Sequence, residues 1–372
     1  MGDTIDLFCG CGGFSKGLEQ IGFNVVFAND IDAVCAETFM NNIKIDREHF
    51  FLGDINELIA NYRQYEKLFC DIDLVIGGPP CQGFSMANRQ RVIDDPRNTL
   101  YKAFLRLLSD ILPKFFIMEN VKGMSKKIDE IMEDFNEALK DSYDIDFGIL
   151  NAKDFGIPQN RERLFVIGNR MGVKTKDIFK NLCSKKHTSF VLKDAIADLP
   201  PLGVNKFKNN TALESNDAGF FQIYYAYEKT AFYNYINDDR EINILYNHKN
   251  RYNNDRDVRI FSLLPQGENS LHPSIADIMP YKSRNHIFKD KYFKLKYDEV
   301  CKTITSHMKF DCNMYIHPTL PRGLSPREAA RVQTFPDDFV FLGPQNSWYK
   351  QIGNAVPVKL AKEIGGEILK WL

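Results

Sequence analysis

Leu74-Val75-Ile76-Gly77-Gly78-Pro79-Pro80-Cys81-Gln82-Gly83-Phe84-Ser85 decides how this chain is read. The first three residues are an apolar run of the kind that forms a buried strand. After them comes a turn dense in glycine and proline, with one cysteine in it. Proline fixes φ, so a thiol placed after two prolines is held in position rather than carried on a loose loop. A free cysteine in a tight turn ordinarily packs as a small hydrophobe. The end of a buried strand is also where open α/β sheets present their reactive groups. The residues on either side choose between the two readings.

Upstream and downstream, short apolar runs alternate with helical patterns. Strands are predicted at Thr4 to Phe8, Val25 to Ala28, Leu74 to Ile76, Phe115 to Met118 and Arg163 to Gly168. Helices are predicted at Phe14 to Ile21, Ala33 to Asn41, Asn98 to Leu112 and Ile128 to Lys140. Such alternation implies an α/β fold, a doubly wound and mostly parallel sheet covered on both faces. Beyond about residue 200 Asn, Tyr and Lys become frequent and periodicity fades, which predicts a second, smaller, irregular and partly β module. Ser325-Pro326-Arg327-Glu328 restores order: an N-cap, a proline at the first helical position and a glutamate three residues after the cap start a helix. Pro357 to Leu372 reads as an amphipathic helix with Val358, Leu360, Ala361, Ile364, Ile368 and Leu369 on its apolar side.

The net charge of −1 over 372 residues does not announce a nucleic-acid binder, so any basic surface must be local. The N-terminus lacks the basic and apolar regions of a signal peptide, and no apolar run approaches membrane-spanning length. The eight cysteines are scattered and form no disulfide framework. A protein of a reducing compartment is expected, cytoplasmic and without membrane attachment.

Cys9-Gly10-Cys11-Gly12-Gly13-Phe14 joins the first strand to the first helix. Its glycines let a ligand approach the backbone at a helix N-terminus. Asp30 follows the second strand, where a carboxylate accepts hydrogen bonds from ribose. The pair suggests an adenosine-containing cofactor. It argues against NAD, because the third glycine of the dinucleotide fingerprint is replaced by Ser15. Glu119 ends a strand and points to the same crevice as Cys81. Arg161 and Arg163, two apart in a predicted strand, are expected to share one face. Tyr281 to Lys296 interleaves basic and aromatic residues, a composition suited to phosphate contact. Cys301, His307, Cys312 and His317 lack the close pairs of a zinc site, so no metal is expected.

With these residues in place, the chain resembles the DNA cytosine-5 methyltransferases of bacterial type II modification systems. The ordered motifs are Asp6-Leu7-Phe8-Cys9-Gly10-Cys11-Gly12-Gly13-Phe14, Gly78-Pro79-Pro80-Cys81-Gln82, Glu119-Asn120-Val121, Gln159-Asn160-Arg161-Glu162-Arg163, Arg322 to Arg331, and Gln351-Ile352-Gly353-Asn354-Ala355-Val356-Pro357. The resemblance implies a Rossmann-like, S-adenosylmethionine-dependent catalytic domain from residues 1–183 and 320–372, and a target-recognition domain over 184–319. It implies methyl transfer to carbon 5 of a cytosine in a specific double-stranded DNA sequence, through base flipping and a covalent Cys81 adduct, leaving S-adenosylhomocysteine. The implied catalytic residues are Cys81, Glu119, Arg161 and Arg163. The implied cofactor pocket comprises Phe8, Cys11, Gly12, Gly13, Asp30, Ile31, Asp54, Ile55, Pro80, Asn354 and Val356. Where the family often has Glu and an aromatic residue against the adenosine, this chain has Asp30 and Ile31. DNA contacts are implied for Gln82, Ser85, Arg89, Arg91 and Arg97 in a mobile loop, for Thr303 and Thr305, and for Lys289, Lys291 and Lys294 in the basic stretch. A monomer with a partner restriction endonuclease fits this type. Two other readings stay open: an RNA methyltransferase of the transfer-RNA type, which shares the motifs, and a non-catalytic DNA-binding regulatory relative, which would be expected to have lost Cys81 or Glu119.

Overall fold

A computed structural model describes residues 2–80, 100–139, 142–208, 212–280 and 291–372. It divides into two compact units. The first comprises Met1–Phe155, Glu162–His187 and Val356–Leu372, and the second Gly156–Arg161 and Thr188–Ala355.

The first unit is built on strands β1 (Asp3–Leu7), β2 (Asn24–Asp30), β3 (Phe50–Leu52), β4 (Leu74–Gly77), β5 (Phe115–Val121) and β6 (Asp144–Asn151). The short β7 (Gln159–Asn160) belongs to the second unit, and β8 (Glu162–Asn169) completes the sheet of the first. The seven strands lie in the order β3-β2-β1-β4-β5-β8-β6. From β3 to β5 each pair is parallel, while β8 runs antiparallel to both β5 and β6. One reversed strand in an otherwise parallel sheet is the mostly parallel architecture that the alternation predicted. The strand order turns back between β1 and β4, and such a switch point opens a crevice outside the carboxyl ends of the strands.

Both faces are buried. On one, Phe27, Val75, Phe116 and Val166 meet α4 (Leu100–Ile111) and α5 (Ile128–Leu139) through Phe104, Leu108, Ile131 and Phe135. On the other, Val25 and Ala28 meet Ala36 and Phe39 of α2 (Ala33–Asn42). The sequence reading omitted β3 and β6. Three residues are too few to show a period. In β6 the alternation of Ile145, Phe147 and Ile149 was present, and the half-exposed Phe147 and Ile149 mark it as an edge strand. The last helix, α12 (Val358–Ile368), packs on α1 (Gly13–Glu19), so both ends of the chain lie in one unit. Leu369, expected on its apolar side, stands 37% exposed because the helix tightens into a single turn at Leu369–Trp371.

The second unit has little regular structure. Strands β9 (Gly219–Tyr224) and β10 (Ile244–Lys249) form an antiparallel pair, and β11 (Cys301–Lys302) runs parallel to β7. The predicted capping box starts α10 (Pro326–Val332): Ser325 Oγ accepts from the Glu328 N–H, and Glu328 Oε2 accepts from the Ser325 N–H at 2.7 Å. Arg322, Arg327 and Arg331 around this helix are all fully buried. Arg327 donates to the carbonyls of Tyr246, Pro336 and Phe339, and Arg331 to Asp198 and Asp337. These bonds hold 320–355 within the second unit. The expected division gave that segment to the first unit, which the chain re-enters at Val356.

Candidate active site

The carboxyl ends of β1, β2, β4 and β5 carry the first unit's candidate residues. After β1 the chain turns through Phe8, Gly10 and Gly12 at φ of 57°, 55° and 91°. Gly12 is required, since a Cβ there would be strained by this φ and would stand 2.9 Å from Phe39. Cys11, Gly12 and Gly13 are buried, and Phe8 is half-buried. Burial pushes the Cys11 thiol up to about 12 and Cys9 well above the usual thiol range, so neither is a nucleophile at neutral pH.

Asp30, at the end of β2, accepts from the Gly10 N–H and the Asp32 N–H, each at 2.8 Å. It thus ties the β1 turn to the β2 turn, and a carboxylate with about four acceptor positions keeps capacity for a ligand. Ile31 beside it is 69% exposed, an apolar side chain left uncovered among the described residues. Asp54 caps α3 (Ile55–Ala60) by accepting from the Asn56 N–H, and Ile55 is buried. An exposed apolar side chain beside a carboxylate with spare acceptor positions fits a ligand that pairs an apolar face with hydroxyl donors. Val356 is buried in the first unit; Asn354, in the second, is exposed.

Glu119 and Arg163 meet because β8 is reversed. Register pairs Val121 with Arg163, and Glu119 lies two residues along on the same face as Val121. Arg163 Nε stands 3.0 Å from Glu119 Oε1, with both side chains largely buried. Burial pulls the Arg163 guanidinium downward, and the Glu119 charge opposes that. A Cβ on Gly78 would be 3.5 Å from Glu119 Oε2, so the carboxylate faces the backbone where β4 ends. Asn120 Nδ2 donates to the Pro79 carbonyl at 2.9 Å and anchors the turn leading to Cys81. Pro80 is exposed. Cys81, Gln82, Ser85, Arg89, Arg91, Arg97 and Lys289 lie outside the described residues.

Arg161 does not share a face with Arg163. It falls between strands where the ladder changes partner, β7 pairing with β11 and β8 with β5 and β6. It is 1% exposed and donates to the carbonyls of Ile304, Gly353 and Ala355. Arg161 thus braces backbone of the second unit. Gln159 adds to the brace, with Oε1 accepting from the Ile304 N–H and Nε2 donating to Gln333 Oε1. Gly353 is required here by close approach: a Cβ on it would be 2.2 Å from the Thr305 carbonyl carbon. Thr303 Oγ1 donates to the Asn160 carbonyl, and Thr305 Oγ1 is 3.0 Å from the Tyr315 hydroxyl. In the basic stretch, Lys294 donates to the Phe261 carbonyl and Lys296 pairs with Glu299, so those ammonium groups are already engaged within the protein. Lys291 is half-buried and also has a partner.

Sequence reasoning gave no role to Asp6, Asn120, Gln159 or Gly353. All four lie inside the family's motifs, which was the available signal. Their roles depend on partners distant in the chain.

A Rossmann-like sheet with an Arg-held carboxylate at the end of β5, beside the backbone that leads from β4 into Pro79 and Pro80, fits a group-transfer enzyme of the methyltransferase class. The sequence pattern of the C-5 cytosine-specific DNA methylases matches residues 2–370. The type II methyltransferase M.XorII of Xanthomonas oryzae pv. oryzae is 32% identical over 99% of this chain and 84% of its own length. M.DdeI of Desulfomicrobium norvegicum is 33% identical over 99% and 88%, and M.MthTI of Methanothermobacter thermautotrophicus 31% over 100% and 98%. Among solved structures, a DNA modification methyltransferase encoded within an E. coli prophage superposes with a TM-score of 0.75 at 28% identity, covering 100% of this chain and 99% of that one. The S. pombe Dnmt2 methyltransferase, at 17% identity and a TM-score of 0.59, shares the fold. The chain belongs to the C-5 cytosine-specific DNA methylase family and is a DNA (cytosine-5) methyltransferase acting with a methyl donor.

Proposed function

We propose that this enzyme uses S-adenosylmethionine to methylate cytosine within one specific double-stranded DNA sequence, with the target base turned out of the helix, as the modification half of a restriction–modification system. The observation that carries the reading is the Glu119–Arg163 pair set against Gly78, immediately before the Pro-Pro-Cys turn.

Carbon 5 of cytosine is a weak nucleophile, and a thiol is the side chain best suited to adding and leaving again. The Cys81 thiolate bonds to carbon 6, the 5,6 π pair shifts to the 4,5 position to give an enamine, and the displaced 3,4 pair is taken up at ring nitrogen 3. Glu119 binds the ring nitrogen and the amino group, where charge accumulates, and Arg163 keeps the Glu119 carboxyl in place. Phe8, Asp30, Ile31, Asp54 and Val356 of the first unit would hold the donor, which would supply an electrophilic methyl group for carbon 5 and leave as a neutral thioether. A base then takes the carbon-5 proton, the ring double bond re-forms, and the Cys81–carbon 6 bond breaks to return the thiolate. The base must leave the stack for both faces of carbon 5 and carbon 6 to be reached. Thr303, Thr305 and Lys291 are the described candidates for holding the DNA backbone. The type II relatives favour a partner nuclease.

Incubation with S-adenosylmethionine and mixed-sequence duplex DNA, followed by bisulfite sequencing, tests the whole reading. Protection of cytosine within one recurring motif is expected, with none after Cys81→Ala. Methylation of RNA in place of duplex DNA would overturn it.

A further inference from the structure

Phe310 is a large aromatic side chain left 69% exposed on a stretch of backbone that is otherwise held fast. It follows the single turn Ser306–Lys309 of the second unit. Met308 and Cys312, two residues to either side, are fully buried, and the ring between them faces solvent. Arg251 grips the turn, donating to the Met308 carbonyl at 2.6 Å, the Lys309 carbonyl at 3.1 Å and Asn346 Oδ1 at 2.8 Å. The Met308 N–H donates to the Thr305 carbonyl, and the Phe310 N–H to the His307 carbonyl. The exposure is therefore not slack in a loop. A single exposed apolar residue is ordinary on a protein surface. This one has company that sets it apart. The Lys309 ammonium stands 4.7 Å from the ring centre, and among the described residues no carboxylate pairs with it. The His307 ring, itself exposed, has its centre 6.1 Å away. Asp311, the acid next in sequence, is engaged with the Asn313 N–H. Thr303 and Thr305, the candidates for holding the DNA backbone, open the same stretch of chain.

A ring flanked by such an ammonium selects its partner. A neutral apolar surface would cover the ring while stripping water from Lys309 with no counter-charge in return. A second copy, docked symmetrically, would bring one Lys309 against another. A nucleic acid offers what both groups need, a flat π face beside a phosphate. Resting on the reading that the target base is turned out of the duplex, we infer that Phe310 is a stacking platform for a base of the bound DNA whose face that step uncovers, with Lys309 on the neighbouring phosphate. A base that leaves the helix exposes the faces of its neighbours. A ring already fixed by Arg251, Met308 and Cys312 covers such a face with little further ordering, so little of the stacking energy is lost to arranging the turn. Phe310 is thus a positioning residue: it holds the opened duplex and touches no reacting atom.

The test uses the full-length protein and labelled duplexes carrying the motif protected in the bisulfite experiment, with affinity read by fluorescence anisotropy over a range of salt concentrations. Phe310→Ala is expected to weaken binding about tenfold or more. Its salt dependence, melting temperature and affinity for S-adenosylmethionine should match wild type. Lys309→Ala should instead lower the slope of log affinity against log salt by about one. Phe310→Tyr should keep the affinity of wild type. Phe310→Trp should add an emission, above that of Trp348 and Trp371, that duplex DNA quenches. Binding by Phe310→Ala within about twofold of wild type would overturn the inference. So would an added Phe310→Trp emission that DNA leaves unchanged, or an affinity loss accompanied by a fall in melting temperature. Dimerisation of wild type that Phe310→Ala abolishes would assign the ring to a second copy and overturn it as well. A wild type that methylates no duplex DNA would overturn the parent reading itself, and the inference with it.

Discussion

The two units solve the same problem of placing polar groups by opposite means. In the first, the sheet does the placing: register and one reversed strand bring Arg163 to Glu119, and the interior beneath is apolar. In the second, the polar groups are themselves the interior. Among the described residues, the largest fully buried side chains are Arg161, Arg322, Arg327 and Arg331, and all four belong to this unit. Irregular backbone leaves carbonyls without ladder partners, and buried carbonyls must find donors. A guanidinium offers five donors in a rigid fork, so one arginine satisfies several at once. The lesson is that arginine serves the backbone where the backbone is irregular, and is left to pair with a carboxylate, as Arg163 does with Glu119, where the ladder is complete.

The sharpest way to break this comparison is Arg331→Met. Asp198 and Asp337 would be left as buried carboxylates without their cation, and removing one partner of such a network costs about 3–5 kcal/mol. Hydrogen exchange should show 188–355 losing protection while β1, β4 and β5 keep theirs; uniform loss would show that the two interiors are not independent. Next comes the pair Arg161→Met and Arg163→Met. The first uncovers three buried carbonyls and is expected to cost about 2–4 kcal/mol in urea unfolding. The second should cost about 1 kcal/mol or less, yet lower kcat by about a hundredfold or more, because Glu119 loses its orientation. If both variants show the same ratio of stability loss to rate loss, the division between the two uses of arginine fails.

The units should also drift oppositely with pH. Burial holds His248 and His317 down to about 4, against an ordinary 6.5, with Glu328 partly offsetting it. The unfolded chain binds their protons first, so this contribution is complete above about 6.5 and is lost as pH falls through about 4. Glu328 and Asp337, held below the usual carboxylate range despite burial by the Arg322 and Arg331 guanidinium groups, extend the loss to lower pH. Asp6 has the reverse sign. Burial, chiefly, pushes its carboxyl up to about 8, against the Ser15 hydrogen bond. The native state thus holds a proton that the unfolded chain has shed, so its contribution is complete below about 3.8 and gone above about 8. Thermal melts from pH 4 to pH 9 should show His248→Gln flattening the rise in stability between about 4 and 6.5, and Asp6→Asn removing a decline that runs from about 4 to about 8. The smallest effect is expected for Lys122→Ala, whose ion pair with Glu162 is half-exposed. About 0.5 kcal/mol or less in urea unfolding is the expected cost, and a larger one would show that the edge of the first unit also depends on charge.

Local patterns determined what lies within a few residues of itself. Strand–helix alternation carried the α/β architecture, the Ser325 capping box announced α10, and the order of the motifs carried the family and named Glu119. Expectations that needed two distant segments fared differently. Arg161 and Arg163 looked equivalent, and only the change of ladder partner between β7 and β8 sent one to backbone carbonyls and the other to a carboxylate. Lys294 read as a free cation, and only the packed chain turned it to the Phe261 carbonyl. Asp6 read as one motif letter, and only burial gave it a raised affinity for its proton. Sequence fixes the period and the capping of a segment because those energies are local. Tertiary structure decides which polar groups meet, because desolvation and pairing are properties of the closed fold.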